Sequence, residues 1–106
     1  DVGVDEFFTD PDRYRGHLLR MELEFISLEE AEQVRTDFYE GEPFLLTRSP
    51  GAERRFVYVA VPPDWMVQAE SLTPLEGVRI VGRIRSGAAA LTGSPILDLV
   101  ELERLP

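Results

Sequence analysis

Few side chains in this sequence could carry chemistry, and most of them lack the partners that the chemistry requires. His17 is the only histidine, and there is no cysteine. A transition-metal site draws several ligands from Cys, His and carboxylates, so His17 has neither a His nor a Cys to join it. A proton-shuttling role would likewise need a positioned partner, and a partly covered residue near the start of a strand is the expectation. Asp10-Pro11-Asp12 begins like a calcium loop, but Tyr14 stands in the third ligand position and Gly16 is misplaced for the turn. Gly77 and Gly82 have the spacing of P-loop glycines, yet Arg83-Ile84 follows where Lys and Ser or Thr are required. All eleven basic residues are Arg, which removes Schiff-base lysine chemistry, and no G-x-S-x-G nucleophile elbow occurs. Glu22, Glu24, Glu101 and Glu103 could supply paired carboxylates for glycoside hydrolysis. Their strand parity instead sets them among Arg79, Arg83 and Arg85, as a cross-strand charge ladder. No catalytic residue, metal site or cofactor is expected.

One constellation could bind rather than react: Phe44, Arg48, Arg54, Arg55, Phe56 and Tyr58. Aromatic rings stack bases or sugars, and Arg contacts phosphates. The charge opposes that use. The chain carries a net charge of −9, with twelve acids against four Arg in residues 1–40 and eight against seven in residues 41–106. Such a field repels polyphosphates, and the segment containing Glu29, Glu30, Glu32, Asp37, Glu40 and Glu42 is acidic throughout. Nucleic acid is therefore not the expected partner. Leu18, Ile26 and Val81 form a second group, apolar side chains on the solvent parity of strands, a placement that marks contacts with a protein or a neighbouring domain.

The elements that must position these residues are mostly strands. His17 to Ile26 alternates, with Leu19, Met21, Leu23 and Phe25 on one face, the pattern of a half-buried strand. Asp10 as cap, Pro11 at the first position and a left-handed exit at Gly16 predict a single helical turn before it, with Phe7 and Phe8 packing that turn onto the core. Ser27-Leu28-Glu29-Glu30 reads as a capping box opening a short helix to about Arg35. Asp37–Pro43 reads as a polar connection. Phe44–Ser49 and Arg54–Val61 form a hairpin whose turn is Ser49-Pro50-Gly51-Ala52-Glu53, and the second run, apolar on both faces, reads as a covered strand. Asp64 caps a short helix over Trp65–Glu70. Val78, Ile80 and Ile84 restore the alternation, and Ile96–Leu105 is the last strand after a small-residue loop, Ser86–Pro95. The expected core is Leu19, Met21, Leu23, Phe25, Val57, Val59, Ile80 and Ile84.

The resulting order is three strands, a short helix and two strands. It resembles the OB-fold in the opening after Tyr14-Arg15-Gly16, in Gly77-Val78-Arg79-Ile80-Val81-Gly82-Arg83-Ile84, and in Pro95-Ile96-Leu97-Asp98-Leu99-Val100-Glu101-Leu102. The pattern is similar to tRNA anticodon-like OB domains and to OB-like domains of uncharacterised, membrane-tethered bacterial proteins. The resemblance implies a mainly β, five-stranded barrel with a short helix between strands 3 and 4 and a short N-terminal helical turn. It also implies a ligand face on strands 2 and 3 for single-stranded nucleic acid or oligosaccharide, the alternative to protein binding. Membership of a larger, membrane-anchored bacterial protein is a further implication of the second resemblance.

The length of 106 residues and mass of 12.0 kDa suit one domain spanning 1–106. Hydrophobic residues make up 43% of the chain, enough for a core without staples. No apolar run approaches the roughly 18 residues of a membrane span, so no membrane contact is expected of this segment itself. Residue 1 is Asp, so the expectation is a mature form or a domain of a larger protein, with the excised domain preferred.

Overall fold

The fold is seen in a computed structural model, which describes residues 11–32, 38–49, 55–86 and 94–106. A 3-10 turn at Pro11–Tyr14 leads into β1 (Leu18–Glu30). Then come β2 (Pro43–Arg48), β3 (Phe56–Ala60), a 3-10 turn at Pro63–Trp65, α1 (Met66–Glu70), β4 (Gly77–Ser86) and β5 (Ile96–Arg104). The five strands form one sheet that closes on itself in the order β1-β2-β3-β5-β4. Every pair is antiparallel except β3 with β5, which is parallel.

β1 serves both halves of this ring. Leu18 to Glu24 pair with β4, and Glu24 to Glu30 pair with β2, so Glu24 faces Gly77 on one side and Arg48 on the other. The bend comes just after the handover. Phe25 faces Thr47 and Ser27 faces Leu46, leaving Ile26 as an extra residue in a bulge. Bulges also leave Val100 extra on β5 and Arg85 extra on β4.

The alternation places the core as expected. Leu19, Met21, Leu23, Phe25, Val57, Val59, Ile80 and Ile84 are all buried, joined by Leu45, Val78, Leu97 and Leu99. β3 is covered on both sides, since Val57, Tyr58, Val59 and Ala60 are all buried. At the entrance to β1, Gly16 has φ +85, and its amide donates to the Ile84 carbonyl at 2.7 Å. That left-handed backbone turns the chain from the 3-10 turn into the sheet at little steric cost to glycine.

Two local expectations are corrected. Ser27–Glu30 does not open a helix: β1 continues to Glu30, and the Ser27 hydroxyl donates to Glu29 at 2.6 Å. The end of that expected helix, residues 33–35, lies outside the described residues. The ladder with β2 gives these backbone groups partners that a solitary helical turn could not match, so tertiary pairing overrides the local pattern. Asp64 does not cap the helix: Pro62 and Trp65 occupy the cap positions, neither with a side-chain cap hydrogen bond. The readings for Phe7, Phe8 and Asp10, for the turn residues Pro50–Glu53 and Arg54, and for most of the Ser86–Pro95 loop lie outside the described residues.

Candidate functional site

The outer face of β2 and β3 is set by their register. Phe44 faces Ala60, Leu46 faces Tyr58 and Arg48 faces Phe56. Leu45, Val57 and Val59 point the other way, into the main core. Phe44 and Tyr58 therefore lie on the outside of the ring, yet they are only 4% and 7% exposed. Phe38, from the connection before β2, covers them. Its ring stacks on Phe44 at 4.9 Å between centroids, and Tyr58 meets both rings edge-on. With Ala31, Ala60 and Ile96 they make a second small core outside the first.

An ion cluster seals this second core. Arg85, on the outward parity of β4 and at its bulge, lies 5.4 Å from the centroid of the Phe38 ring. Its Nη1 donates to Glu42 Oε1 at 2.9 Å and its Nη2 to Glu42 Oε2 at 2.7 Å. Arg85 also donates to Asp98, from Nε at 3.1 Å and from Nη2. The Glu42 side chain is only 9% exposed, so the fork-to-fork geometry supplies partners for a nearly buried charge. The hydrogen bonds to Glu42, then those to Asp98, hold the Arg85 guanidinium well above its ordinary pKa, against the opposing effect of burial. The expected polar connection thus carries a buried aromatic and a buried carboxylate.

The remaining residues of the expected ligand constellation are dispersed. Arg48 is paired with Glu24, Nε to Oε1 at 2.5 Å, across the β1–β2 ladder. Arg55 is exposed, and its amide donates to the Ser49 hydroxyl at 3.0 Å. Phe56 is 47% exposed and is the one ring of the set at the surface; Arg54 lies outside the described residues.

The opposite wall, the outer face of β1, β4 and β5, is a charge ladder with an apolar centre. Register aligns Leu18 with Arg83 and Asp98, Arg20 with Val81 and Glu101, and Glu22 with Arg79 and Glu103. Arg79 sits between two carboxylates, 3.3 Å from Glu22 and 3.6 Å from Glu103, as the parity of the strands predicts. Val81 is the apolar residue in the middle row. It lines a cleft of about 460 Å³ together with Trp65, Leu102, Arg20 and Glu101. Trp65 and Leu102 are half-buried against the main core. Ile26 lines a different cleft, beside Leu28, Leu72 and Pro74, so the expected contact residues do not form one patch. His17 is exposed, edge-on to Tyr14 at 5.9 Å.

Strand parity marked Val81, but Trp65 escaped the sequence reading, which placed it only within a helix. Phe38, Glu42 and Asp98 escaped as members of one cluster because 43 residues separate Glu42 from Arg85. No protein-family model matches this sequence, and no curated protein matches it.

Proposed function

We propose that this chain is a non-enzymatic, OB-like interaction module that binds a protein, or a neighbouring domain of its own chain, through the outer face of β1, β4 and β5. The OB-like reading is supported by the ring order, the parallel β3–β5 pair and the short helix between β3 and β4. One observation carries the functional reading: Val81, Trp65 and Leu102 share a cleft rimmed by Arg20, Arg79, Glu101 and Glu103. A central apolar anchor with a Trp, enclosed by charged groups, is the anatomy of an interface hot spot and its rim. The alternating charges would fix the partner's register more than its affinity.

The alternative, single-stranded nucleic acid or oligosaccharide on the β2–β3 face, needs exposed rings. Phe44 and Tyr58 lie beneath Phe38, which disfavours stacking there.

The test uses the single Trp of the chain as its own reporter. Peptides selected by display against the domain are expected to shift Trp65 emission and to lose binding to Val81→Glu. The reading is overturned if enriched peptides bind Val81→Glu equally well. It is overturned as well if a single-stranded oligonucleotide binds tighter than about 10 μM near physiological salt.

A further inference from the structure

A smaller cleft of about 250 Å³ is lined by Pro62 and Pro63, which precede Trp65 in the chain, and by Asp98 and Leu99 of β5. Tyr39, Pro62, Pro63 and Leu99 form its apolar walls, and Glu42 and Asp98 supply its charge. We propose that this cleft receives the side chain of an arginine presented by the partner. The proposal rests on the protein-docking reading above and names the partner's chemistry: a basic segment lying along β5, with one guanidinium seated beside Asp98.

Size is the first argument. The cleft is smaller than the roughly 300–1,000 Å³ of pockets that hold drug-sized molecules, and it suits a single long side chain. Charge is the second. Among the described residues, every charged group lining it is a carboxylate. Arg85 meets both carboxylates, one positive charge against two negative ones, while Arg83, across the ladder from Asp98, donates to the Gly16 carbonyl at 2.8 Å. Asp98 remains 45% exposed, whereas Glu42 is 9% exposed, so Asp98 is the carboxylate an incoming donor can reach. Its Oδ1 takes two Arg85 donors and its Oδ2 accepts only a longer contact at 3.3 Å. An ionised carboxylate has about four acceptor sites, which leaves capacity on Oδ2.

The walls explain the preference for arginine. Tyr39 is 65% exposed and offers a ring face to a cation, while the prolines and Leu99 take the aliphatic stem. A planar guanidinium can stack on the ring and still point a donor at Asp98; an ammonium cannot do both equally well. Along β5 the acids continue as Glu101 and Glu103, so further basic residues of the same segment find complementary charge. The net charge of −9 steers such a partner toward the chain.

The experiment titrates a blocked Gly-Arg-Gly peptide into isotopically labelled protein and follows the amide signals of Tyr39, Val61 and Leu99. A Gly-Gln-Gly peptide is the control. Saturable shifts with a dissociation constant on the order of 1 mM are expected for so small a probe. The arginine peptide should bind at least about fivefold tighter than the glutamine peptide, and the preference should vanish in Asp98→Asn and shrink with salt. Tyr39→Ala, at an exposed position, should also weaken binding and guards against a folding defect in Asp98→Asn. Equal binding of both peptides, or a preference unchanged in both variants, overturns the proposal. Val81→Glu should leave the arginine peptide's binding intact. Display peptides that depend on Val81 without needing a basic residue would therefore sink this site alone, whereas arginine binding with no Val81-dependent peptides would sink the docking face alone.

Discussion

Arg85 on β4 and Glu42 just ahead of β2 face each other through two parallel hydrogen bonds, at 2.9 and 2.7 Å. The pair ties the connection that carries Phe38 to the far side of the ring. It closes an aromatic face that would otherwise be open to water.

Removing Arg85 leaves the Glu42 carboxylate nearly buried without its fork. Arg85→Ala is expected to cost about 2–4 kcal/mol in chemical denaturation, because an uncompensated buried charge is far more expensive than a lost surface pair. Arg79→Ala, whose partners are half-exposed or more, should cost below about 1 kcal/mol. Equal losses in the two variants would contradict the sealing role of Arg85.

Leu23 is 2% exposed inside the ring, and Val67 on α1 is 77% exposed. Leu23→Ala is expected to destabilise by about 2–5 kcal/mol, the range for leucines whose cavity cannot collapse. Val67→Ala should stay within about 0.5 kcal/mol. A Leu23→Ala variant as stable as the parent would reverse the facing of β1.

Gly82 is buried opposite Leu19. A methyl group built there would meet Leu97 Cβ at 3.0 Å and the Asp98 carbonyl oxygen at 3.4 Å. Both atoms belong to or adjoin the β5 backbone, so the strand itself must yield. Gly82→Ala is expected to cost about 1–3 kcal/mol, as overpacking does elsewhere, with thermal unfolding as the measurement. Gly41→Ala serves as the contrast: it meets nothing within 4 Å and is strained only by its φ of +80.

Glu76 gives the stability a pH dependence of known sign. Arg104 donates to it from Nε at 2.5 Å and from Nη2 at 2.9 Å, and the Thr73 amide adds a third bond at 2.9 Å. The Arg104 hydrogen bond, then that of Thr73, holds its carboxyl below the ordinary value of 4.5. Folding thus favours the charged form. The contribution is complete above the unfolded value and is lost as pH falls through the lowered folded one. Denaturation midpoints of the parent and of Glu76→Gln should differ most above pH 4.5 and converge in more acidic solution. A gap that widens on acidification would reverse the sign.

Period-two alternation determined the strands and the contents of the main core. Inward parity at Leu19, Met21, Leu23 and Phe25 requires only that one side of a pleated strand be dry. The same parity set Glu22 opposite Arg79 and left Val81 on the outside. Parity along one strand does not say what lies over its outer face. Phe44 and Tyr58 stand among the residues that could bind a ligand, and they lie on the outer face, yet a ring from another segment buries them. Ser27–Glu30 carried a helix-start pattern, but a neighbouring strand offered its backbone better partners. The Glu42–Arg85–Asp98 cluster, and the Tyr39 cleft beside it, exist only because closing the ring brings together residues from the β1–β2 connection, the bulge in β4 and the start of β5. Those contacts form between segments far apart in the chain, and local patterning carries no information about them. The side chains were legible in the sequence; their company was decided by closure of the sheet.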